Sequence, residues 1–317
     1  MSRILVETQD LKKYFKVSNG YLHAVDGISL QIMEGTTLGV VGESGCGKTT
    51  LGRVILRLQE ATDGKIFYDG VDITKIPAKQ LKEYRKKMQI IFQDPYSSIN
   101  PRMPVFDLIA DPFRVCCKHM SAADVDAKVM KLMDTVGLAK RLRNAYPHEL
   151  DGGRRQRIGV ARALALNPPF IVCDEPVSAL DVSIQAQILN LLMDLQDEYH
   201  LTYLFITHDL SVVKHISKEI MVIYLGKCVE KATSKELFHN PVHPYTKAIL
   251  NAIPVPRLNG REKGLEIIKG EITSPINPKV GCRFASRCTE CMQKCCEVTP
   301  ELREIAPGHF VACHKLS

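Results

Sequence analysis

The feature that most constrains the fold of this chain is a glycine-rich segment, GESGCGKT, at residues 42–49. It follows an apolar run, TTLGVVG, that is typical of a short buried strand, and it precedes residues 49–58, which have a helical pattern. The spacing fits G-x-x-x-x-G-K-[ST], in which backbone N–H groups wrap around phosphate oxygens at the positive end of a helix. The order of strand, loop and helix therefore predicts an α/β fold that binds phosphate groups.

The residues of this loop are predicted to make different contacts with a bound nucleotide. Gly42, Gly45 and Gly47 let the backbone approach phosphate oxygens closely. Lys48 supplies a positive charge for the β- and γ-phosphates, and Thr49 offers a hydroxyl to Mg²⁺. The remaining predicted nucleotide contacts are Glu43, Ser44, Cys46 and Thr50, with Cys46 at a variable position of the motif.

The composition is that of a folded protein with one large core. Of its 317 residues, 45% are hydrophobic and 24% are charged, and 42 Lys and Arg against 35 Asp and Glu give a net charge of +7. The positive charges are spread along the chain, so we expect no nucleic-acid partner. Because no apolar stretch approaches the roughly 20 residues that span a bilayer and the N-terminus lacks a signal-peptide core, we expect a cytoplasmic chain that reaches a membrane through partner chains.

Candidate hydrolysis residues follow three other predicted strands. FIVCDE places Asp174 and Glu175 at the end of a buried strand, where Asp174 can reach Mg²⁺ and Glu175 can act as general base on an attacking water. Gln93 ends the strand MQIIFQ, in a place to sense Mg²⁺ and the water. His208 follows the strand YLFIT, where it could contact the γ-phosphate.

These motifs and their order resemble the nucleotide-binding subunits of ABC transporters. The chain has a P-loop at Gly42, a Q-loop at Gln93, a signature at residues 150–154, a D-loop SALD at residues 178–181 and a switch histidine at His208. The resemblance implies an ABC-type P-loop NTPase core with a RecA-like subdomain, an antiparallel β subdomain and a helical subdomain at about residues 100–165. It also implies ATP and Mg²⁺ as cofactors, with Thr49, Gln93 and Asp174 around the metal.

The signature departs from the family pattern. In the family, the signature of one subunit closes over the ATP held by the P-loop of the other, and Asp181 of the D-loop belongs to the same nucleotide site. The usual LSGGQ is LDGGR here. Gly152 and Gly153 can still present N–H groups to phosphate, but Asp151 adds a negative charge that Arg154 could offset. We expect the ATP site that carries this signature to be altered or slow.

The adenine base needs a surface on which to stack. The family places an aromatic residue roughly 25 to 30 positions before the P-loop. Phe15 fits best and Tyr14 is the alternate, while a core aromatic of the N-terminal sheet is the competing interpretation.

The resemblance narrows to the ATPases of dipeptide and oligopeptide permeases, a group that also serves nickel. IIFQDPYSSINPR at residues 90–102 and HPYTKAIL at residues 243–250 carry it, and the chain looks like the F-type subunit of a heterodimeric motor. The implied partners are a paralogous ATPase subunit, two integral membrane permease subunits and an extracellular substrate-binding protein, at the cytoplasmic face of a prokaryotic cell membrane. The cargo stays open between peptides, nickel and a metallophore.

A non-transport ABC ATPase is the alternative function. Such chains act in DNA repair, in translation or in a phosphonate-cleaving complex. The repair and translation types carry a long coiled-coil insert or two ATPase halves, and no heptad run is visible here. The HPYTKAIL segment and the cysteine-rich tail argue against the phosphonate type.

Proline becomes frequent after Asn240, and the tail is rich in cysteine. We therefore predict an ATPase domain at residues 1–250, a linker at about 252–278, and a small cysteine-rich extension within 251–317. The chain has eleven cysteines, and in a reducing compartment such a cluster favours metal over disulfides. The six cysteines after residue 280 are Cys282, Cys288, Cys291, Cys295, Cys296 and Cys313.

The family resemblance implies a [4Fe–4S] cluster in this tail. The ligands matched to the family pattern are Cys282, Cys288, Cys295 and Cys313. Cys291 and Cys296 are extra to the pattern and could compete as ligands. Because thiolates also suit tetrahedral Zn²⁺, the residue chemistry alone leaves zinc open.

Overall fold

The structure, a computed structural model, describes residues 3–252 and 273–316. The β-strands within these ranges are β1 (Ile4–Val17), β2 (Gly20–Met33), β3 (Thr37–Val41), β4 (Asp63–Tyr68), β5 (Val71–Asp72), β6 (Met88–Ile91), β7 (Phe170–Asp174), β8 (Thr202–Thr207), β9 (Glu219–Tyr224), β10 (Lys227–Thr233), β11 (Arg303–Ala306) and β12 (His309–Val311). The α-helices are α1 (Lys48–Ile55), α2 (Ala78–Lys87), α3 (Val105–Cys116), α4 (Ala122–Thr135), α5 (Gly152–Leu164), α6 (Val182–Tyr199), α7 (Leu210–Ile216), α8 (Ser234–His239), α9 (Pro244–Asn251) and α10 (Gln293–Glu297). Short 3₁₀ segments occur at Lys140–Asn144, Pro147–Glu149, Ala285–Arg287 and His314–Leu316.

The described chain divides into two compact units. The first unit consists of residues 3–5, Met33–Thr36 and Lys75–Ile206. The second unit consists of Val6–Ile32, Thr37–Thr74 and the described residues from Thr207 onward. The predicted boundary between residues 250 and 251 stays a prediction, and most of the predicted linker, residues 253–272, lies outside the described residues.

The first unit combines parallel strands with the predicted helical region. β6 pairs in parallel with β7, and β7 pairs in parallel with β8. Every residue of β7 and β8 is buried, which is why these strands read as continuous apolar runs and not as alternating ones. Helices α3, α4 and α5 follow β6. Helix α4 ends before Gly137, which has a φ of 68°, and Pro147 begins a 3₁₀ turn.

The second unit contains the predicted antiparallel β subdomain. Its four-stranded sheet has the order β2-β1-β4-β5, and β4 pairs antiparallel with both β1 and β5. The hairpin between β4 and β5 turns through Asp69 and Gly70, whose φ values of 53° and 75° suit the tight two-residue turn that a right-handed twist requires.

The remaining strands of the second unit join the phosphate-binding region to the cysteine-rich extension. β3 runs parallel to β9, β10 pairs antiparallel with β9, and β12 and β11 of the extension add to β10 as further antiparallel strands. Phe284 of the extension is 3% exposed and belongs to the same buried cluster as Tyr224 and Tyr245. The extension is thus stabilised by packing on a core larger than a short tail could form by itself.

Candidate nucleotide-binding and hydrolysis residues

The glycine-rich loop joins β3 to α1, as the sequence predicts. Gly45 and Gly47 have φ values of 76° and 103°. A Cβ at Gly47 would lie 1.8 Å from the carbonyl oxygen of Ala24, and one at Gly42 would lie 2.2 Å from that of Ile223. Gly42 and Gly47 are therefore required by close backbone approach. Gly45 faces open space, so its backbone conformation alone favours glycine there.

Lys48 is the first residue of α1, and its side chain turns back over the loop. Its Nζ donates to the carbonyl oxygens of Gly42 at 2.8 Å and Glu43 at 3.0 Å, and the residue is only 4% exposed. The N-cap is Gly47, which has no side chain to bond the first N–H groups of the helix. A buried ammonium next to these N–H groups is an arrangement that attracts anions.

Other loop residues have simpler surroundings. Cys46 is 3% exposed, and burial raises the pKa of its thiol, so it stays neutral at physiological pH. Ser44 is exposed at the tip of the loop, while Thr49 and Thr50 are half-buried in the first turn of α1. The burial and neutral thiol of Cys46 are typical of a cysteine that packs in the core.

The predicted acidic pair lies in the first unit. Asp174 is the last residue of β7 and is 1% exposed. Glu175 follows with a φ of 46°, a conformation that costs a non-glycine residue on the order of 1–3 kcal/mol and that clusters at active sites. Its backbone N–H donates to the carbonyl oxygen of Ile206 at 2.9 Å, which holds the residue in this conformation.

The structure brings Gln93 and Glu175 together. The amide Nε2 of Gln93 donates to Oε2 of Glu175 at 3.1 Å, although the two residues are 82 positions apart. On the other side, the backbone N–H and Oγ of Ser178 donate to the carbonyl oxygen of Glu175 at 3.3 and 3.1 Å. The predicted general base is thus oriented by residues of both the Q-loop and the D-loop.

The signature residues begin α5 in the first unit. Asp151 is the N-cap, and its Oδ1 accepts the N–H of Arg154 at 2.8 Å. Aspartate and serine are both favoured N-caps, so Asp151 performs the capping task of the serine it replaces. Arg154 Nε lies 3.4 Å from Asp151 Oδ2, close enough for the positive charge of Arg154 to offset the negative charge of Asp151. Gly153 cannot carry a Cβ without a 2.7 Å contact to Ile184.

Two predicted residues are exposed at the ends of elements. Asp181 occupies the N-cap position of α6 without capping the helix through its side chain. His208 directly follows β8, and the next residue, Asp209, caps α7 by accepting the N–H of Ser211 at 2.8 Å. Their parts in catalysis stay predictions.

The two candidate adenine-stacking residues are half-buried in the second unit. The Tyr14 hydroxyl donates to Asp26 at 2.6 Å, and its ring stacks on His23 with centroids 3.8 Å apart. The Phe15 ring lies 4.9 Å from the ammonium of Lys13. The choice between Phe15 and Tyr14 stays a prediction.

Two residues that sequence reasoning missed contact the P-loop. The backbone N–H of Glu43 donates to the hydroxyl of Tyr245 at 2.9 Å, and the carboxylate of Glu43 pairs with Arg287. Their sequence signals are the tyrosine of HPYTKAIL and an arginine between two cysteines in GCRFASRC. Neither signal by itself indicates which loop the side chain reaches.

The four predicted cluster cysteines line one small cavity, together with His243 and Phe284 among others. Burial raises the pKa of Cys282 to about 11, with a backbone hydrogen bond from Phe284 opposing the shift and the neighbouring thiols adding to it. The two cysteines that are extra to the family pattern are exposed. The four cysteines are Cys282, Cys288, Cys295 and Cys313.

The metal prediction is not confirmed by this arrangement. Within residues 3–252 and 273–316, no group of three or more His, Cys, Asp or Glu is placed so that it could hold a metal ion. The cavity has a volume of about 20 Å³, room for roughly one water. The presence of a cluster stays a prediction.

Across residues 3–252 and 273–316, no α-helix combines the length and the apolar surface that a membrane span needs.

Comparison with known proteins identifies two families along the chain. Residues 25–178 match the ABC transporter family, and residues 229–295 match the C-terminal region of oligopeptide and dipeptide transporters. Among solved structures, the ATP-binding cassette MJ0796, in a dimeric post-hydrolysis state bound to ADP and Pi, is 27% identical with a TM-score of 0.67, over 73% of this chain and 99% of its own. These matches confirm the predicted α/β ABC-type cassette.

Similarity to curated proteins extends over nearly the whole chain. The oligopeptide transport ATP-binding protein AppF of Bacillus subtilis is 49% identical over 99% of this chain and 98% of its own length. The oligopeptide transport ATP-binding protein OppF of Salmonella typhimurium is 49% identical over 99% and 97%, and the dipeptide transport ATP-binding protein DppF of Haemophilus influenzae is 47% identical over 98% and 96%. With both family models and this similarity over nearly its full length, the chain belongs to the ATP-binding subunits of oligopeptide and dipeptide ABC transporters.

Proposed function

We propose that this protein binds and hydrolyses ATP to drive an ABC importer of dipeptides or oligopeptides. The observation that carries the proposal is the 49% identity to an oligopeptide transport ATP-binding protein over 99% of the chain. The match of residues 229–295 to the transporter C-terminal region favours this function over the non-transport alternative. Nickel or a metallophore is the other cargo class that the family allows.

The roles of individual residues follow from their chemistry. The P-loop N–H groups and Lys48 would bind the nucleotide phosphates. The hydroxyl of Thr49, the amide oxygen of Gln93 and the carboxylate of Asp174 are hard oxygen donors of the kind Mg²⁺ prefers. When bound, Mg²⁺ would neutralise charge on the phosphates.

Glu175 is the proposed general base. Its strained backbone and its hydrogen bond from Gln93 hold the carboxylate in one orientation, as a group that accepts a proton from an attacking water must be held. We propose that His208 contacts the γ-phosphate and that an aromatic ring, Phe15 or Tyr14, stacks on adenine.

We propose that this chain acts in a dimer whose other subunit is a paralogous ATPase. The MJ0796 cassette is described as dimeric, which supports the pairing. In this arrangement the residues of the signature and D-loop, Asp151, Gly152, Gly153, Arg154 and Asp181, would face a nucleotide held by the partner subunit.

The transporter names of the relatives support a place at a membrane. We propose that the protein binds two integral membrane permease subunits at the cytoplasmic face of the cell membrane. A substrate-binding protein outside the cell would deliver the peptide. No partner in this scheme is a nucleic acid.

We further propose that Cys282, Cys288, Cys295 and Cys313 hold a [4Fe–4S] cluster, with Zn²⁺ as the alternative. The four thiols share one cavity, and thiolates are the donors that both metals require. Iron and acid-labile sulfide would be measured on anaerobically purified protein. C282S should lose both, while C291S, a change at an exposed cysteine outside the predicted set, should keep them.

The ATPase proposal is tested with E175Q in the complex assembled with its membrane subunits. General-base catalysis is worth about 10²–10⁴ in rate, so the variant should lose ATP hydrolysis and peptide uptake by at least about a hundredfold while still binding Mg·ATP. E301Q, at a carboxylate whose side chain is 79% exposed, is the matched control and should keep both activities. An E175Q complex that hydrolyses ATP at the normal rate would refute the assignment.

A further inference from the structure

The cysteine-rich extension contacts the P-loop through one buried arginine. Arg287 Nη1 lies 2.8 Å from Oε2 of Glu43, and Nη2 lies 3.1 Å from Oε1, a two-pronged pair that joins positions 244 residues apart. The side chain of Arg287 is 7% exposed and that of Glu43 is 24% exposed. Such a bidentate pair is the strongest geometry available to a carboxylate and a guanidinium.

Aromatic packing fixes the position of this arginine. Phe284, three residues before it, contacts the rings of Tyr224 and Tyr245 with centroids 5.3 Å away in each case. Arg287 also donates from Nη1 to the hydroxyl of Tyr224 at 3.2 Å. The folded extension therefore already holds the guanidinium in position, so its contact with the loop costs little side-chain entropy.

Glu43 is the residue through which the extension acts on the loop. Its N–H donates to Tyr245, and its carbonyl oxygen accepts from Lys48 at 3.0 Å. Glu43 therefore contacts Arg287, Tyr245 and Lys48, the proposed phosphate-binding lysine. A shift of Glu43 would move the carbonyl oxygen that Lys48 contacts.

The charge of Glu43 gives the pair a second consequence. A carboxylate in the loop that binds phosphates repels them unless a cation neutralises it. A unit charge about 8 Å from another, at an effective dielectric constant of about 20, changes a binding constant roughly thirtyfold. Screening by salt reduces this toward about tenfold for a partly exposed group.

We propose that Arg287 is a positioning residue for the nucleotide, an inference that rests on the ATP binding proposed above. Its guanidinium neutralises the Glu43 carboxylate beside the bound phosphates, so the cysteine-rich extension sets the affinity of this chain for Mg·ATP.

The test measures Mg·ATP binding by displacement of trinitrophenyl-ATP from the full-length chain. R287Q should raise the Kd about tenfold. In the assembled transporter it should raise KM for ATP by a similar factor while kcat stays within about twofold. E43Q should lower the Kd about two- to threefold, since it leaves the positive charge of Arg287 without its carboxylate beside the loop. The matched control is R303Q in the same extension, at an arginine whose side chain is 67% exposed, and it should not change the Kd.

The double variant E43Q/R287Q separates neutralisation of charge from a structural effect. With the carboxylate gone, the loss caused by R287Q should shrink to within about threefold of the unaltered protein. A folded R287Q protein with an unchanged Kd, or a double variant as weak as R287Q, would overturn the proposal. Should R287Q fail to fold, E43Q decides by itself: weaker binding of Mg·ATP by E43Q overturns the proposal, and tighter binding supports it.

Discussion

Replacing His309 by alanine tests how the extension is joined to the second unit. Glu230 on β10 is fully buried, and its carboxylate accepts the backbone N–H groups of Val242 and His243, both at 2.9 Å. His309 on β12 is 2% exposed, and its Nε2 lies 2.8 Å from the same carboxylate. H309A leaves that buried carboxylate without its side-chain partner, which costs about 3–5 kcal/mol. Spread over 317 residues, a loss of about 4 kcal/mol lowers Tm by about 6 °C.

Urea unfolding and thermal unfolding of the purified chain measure this loss. The matched control is E236Q, because Glu236 lies 3.7 Å from the other ring nitrogen of His309 and its side chain is 40% exposed. Its free energy of unfolding should change by no more than about 0.5 kcal/mol. A loss below about 1 kcal/mol for H309A would show that His309 does not stabilise the buried Glu230 carboxylate, and the reasoning would be wrong.

Three further predictions concern the loop, the signature and the pH dependence of stability. G47A should weaken Mg·ATP binding more than about a hundredfold, because its Cβ would lie 1.8 Å from a backbone oxygen. G45A should weaken binding less, because it adds only left-handed backbone strain of about 1–2 kcal/mol. Nucleotide titration measures both variants, and equal losses of affinity would contradict the clash argument. D151S/R154Q should raise the ATPase rate of the assembled complex while keeping the cap of α5, and an unchanged or lower rate would count against an altered signature. Burial lowers the pKa of His243 to about 4 from an unfolded value of about 6.5, so the neutral form is favoured by folding; stability should be full above pH 6.5 and should fall by about 3 kcal/mol as pH drops to 4. H243N, which cannot titrate, should lack this part of the slope in urea unfolding at each pH, and an unchanged slope would refute the assignment.

The strand, loop and helix that carry the candidate nucleotide residues could be predicted because their pattern is local in sequence. The P-loop requires glycines and a lysine within eight positions, and β3 and α1 on either side are short and strongly patterned. The acid pair was equally visible, since Asp174 ends a strand whose residues are all buried. In both cases the neighbouring element is fixed by its own apolar pattern, so the position of the side chain follows from the position of the element.

The contacts of the extension could not be predicted for the opposite reason. The partners Glu43 and Arg287 are separated by 244 positions, and an arginine between two cysteines has many possible carboxylate partners. The pairing of β12 with β10 was also invisible, because β12 has only three residues and little alternation. The strain at Glu175 depends on the hydrogen bond from its N–H to Ile206, which no local pattern encodes.

A single short segment of the extension reaches two places around the predicted nucleotide contacts. Arg287 pairs with Glu43 in the P-loop, and Arg283 pairs with Asp26, which in turn accepts the hydroxyl of Tyr14. Phe284, between the two arginines, is anchored in the aromatic core of the second unit. Since both arginines share that anchor, a displacement of the segment would shift the carboxylates of Glu43 and Asp26 together. On our proposal for Arg287, the extension would therefore act on nucleotide binding through its fold, with or without a metal at its cysteines.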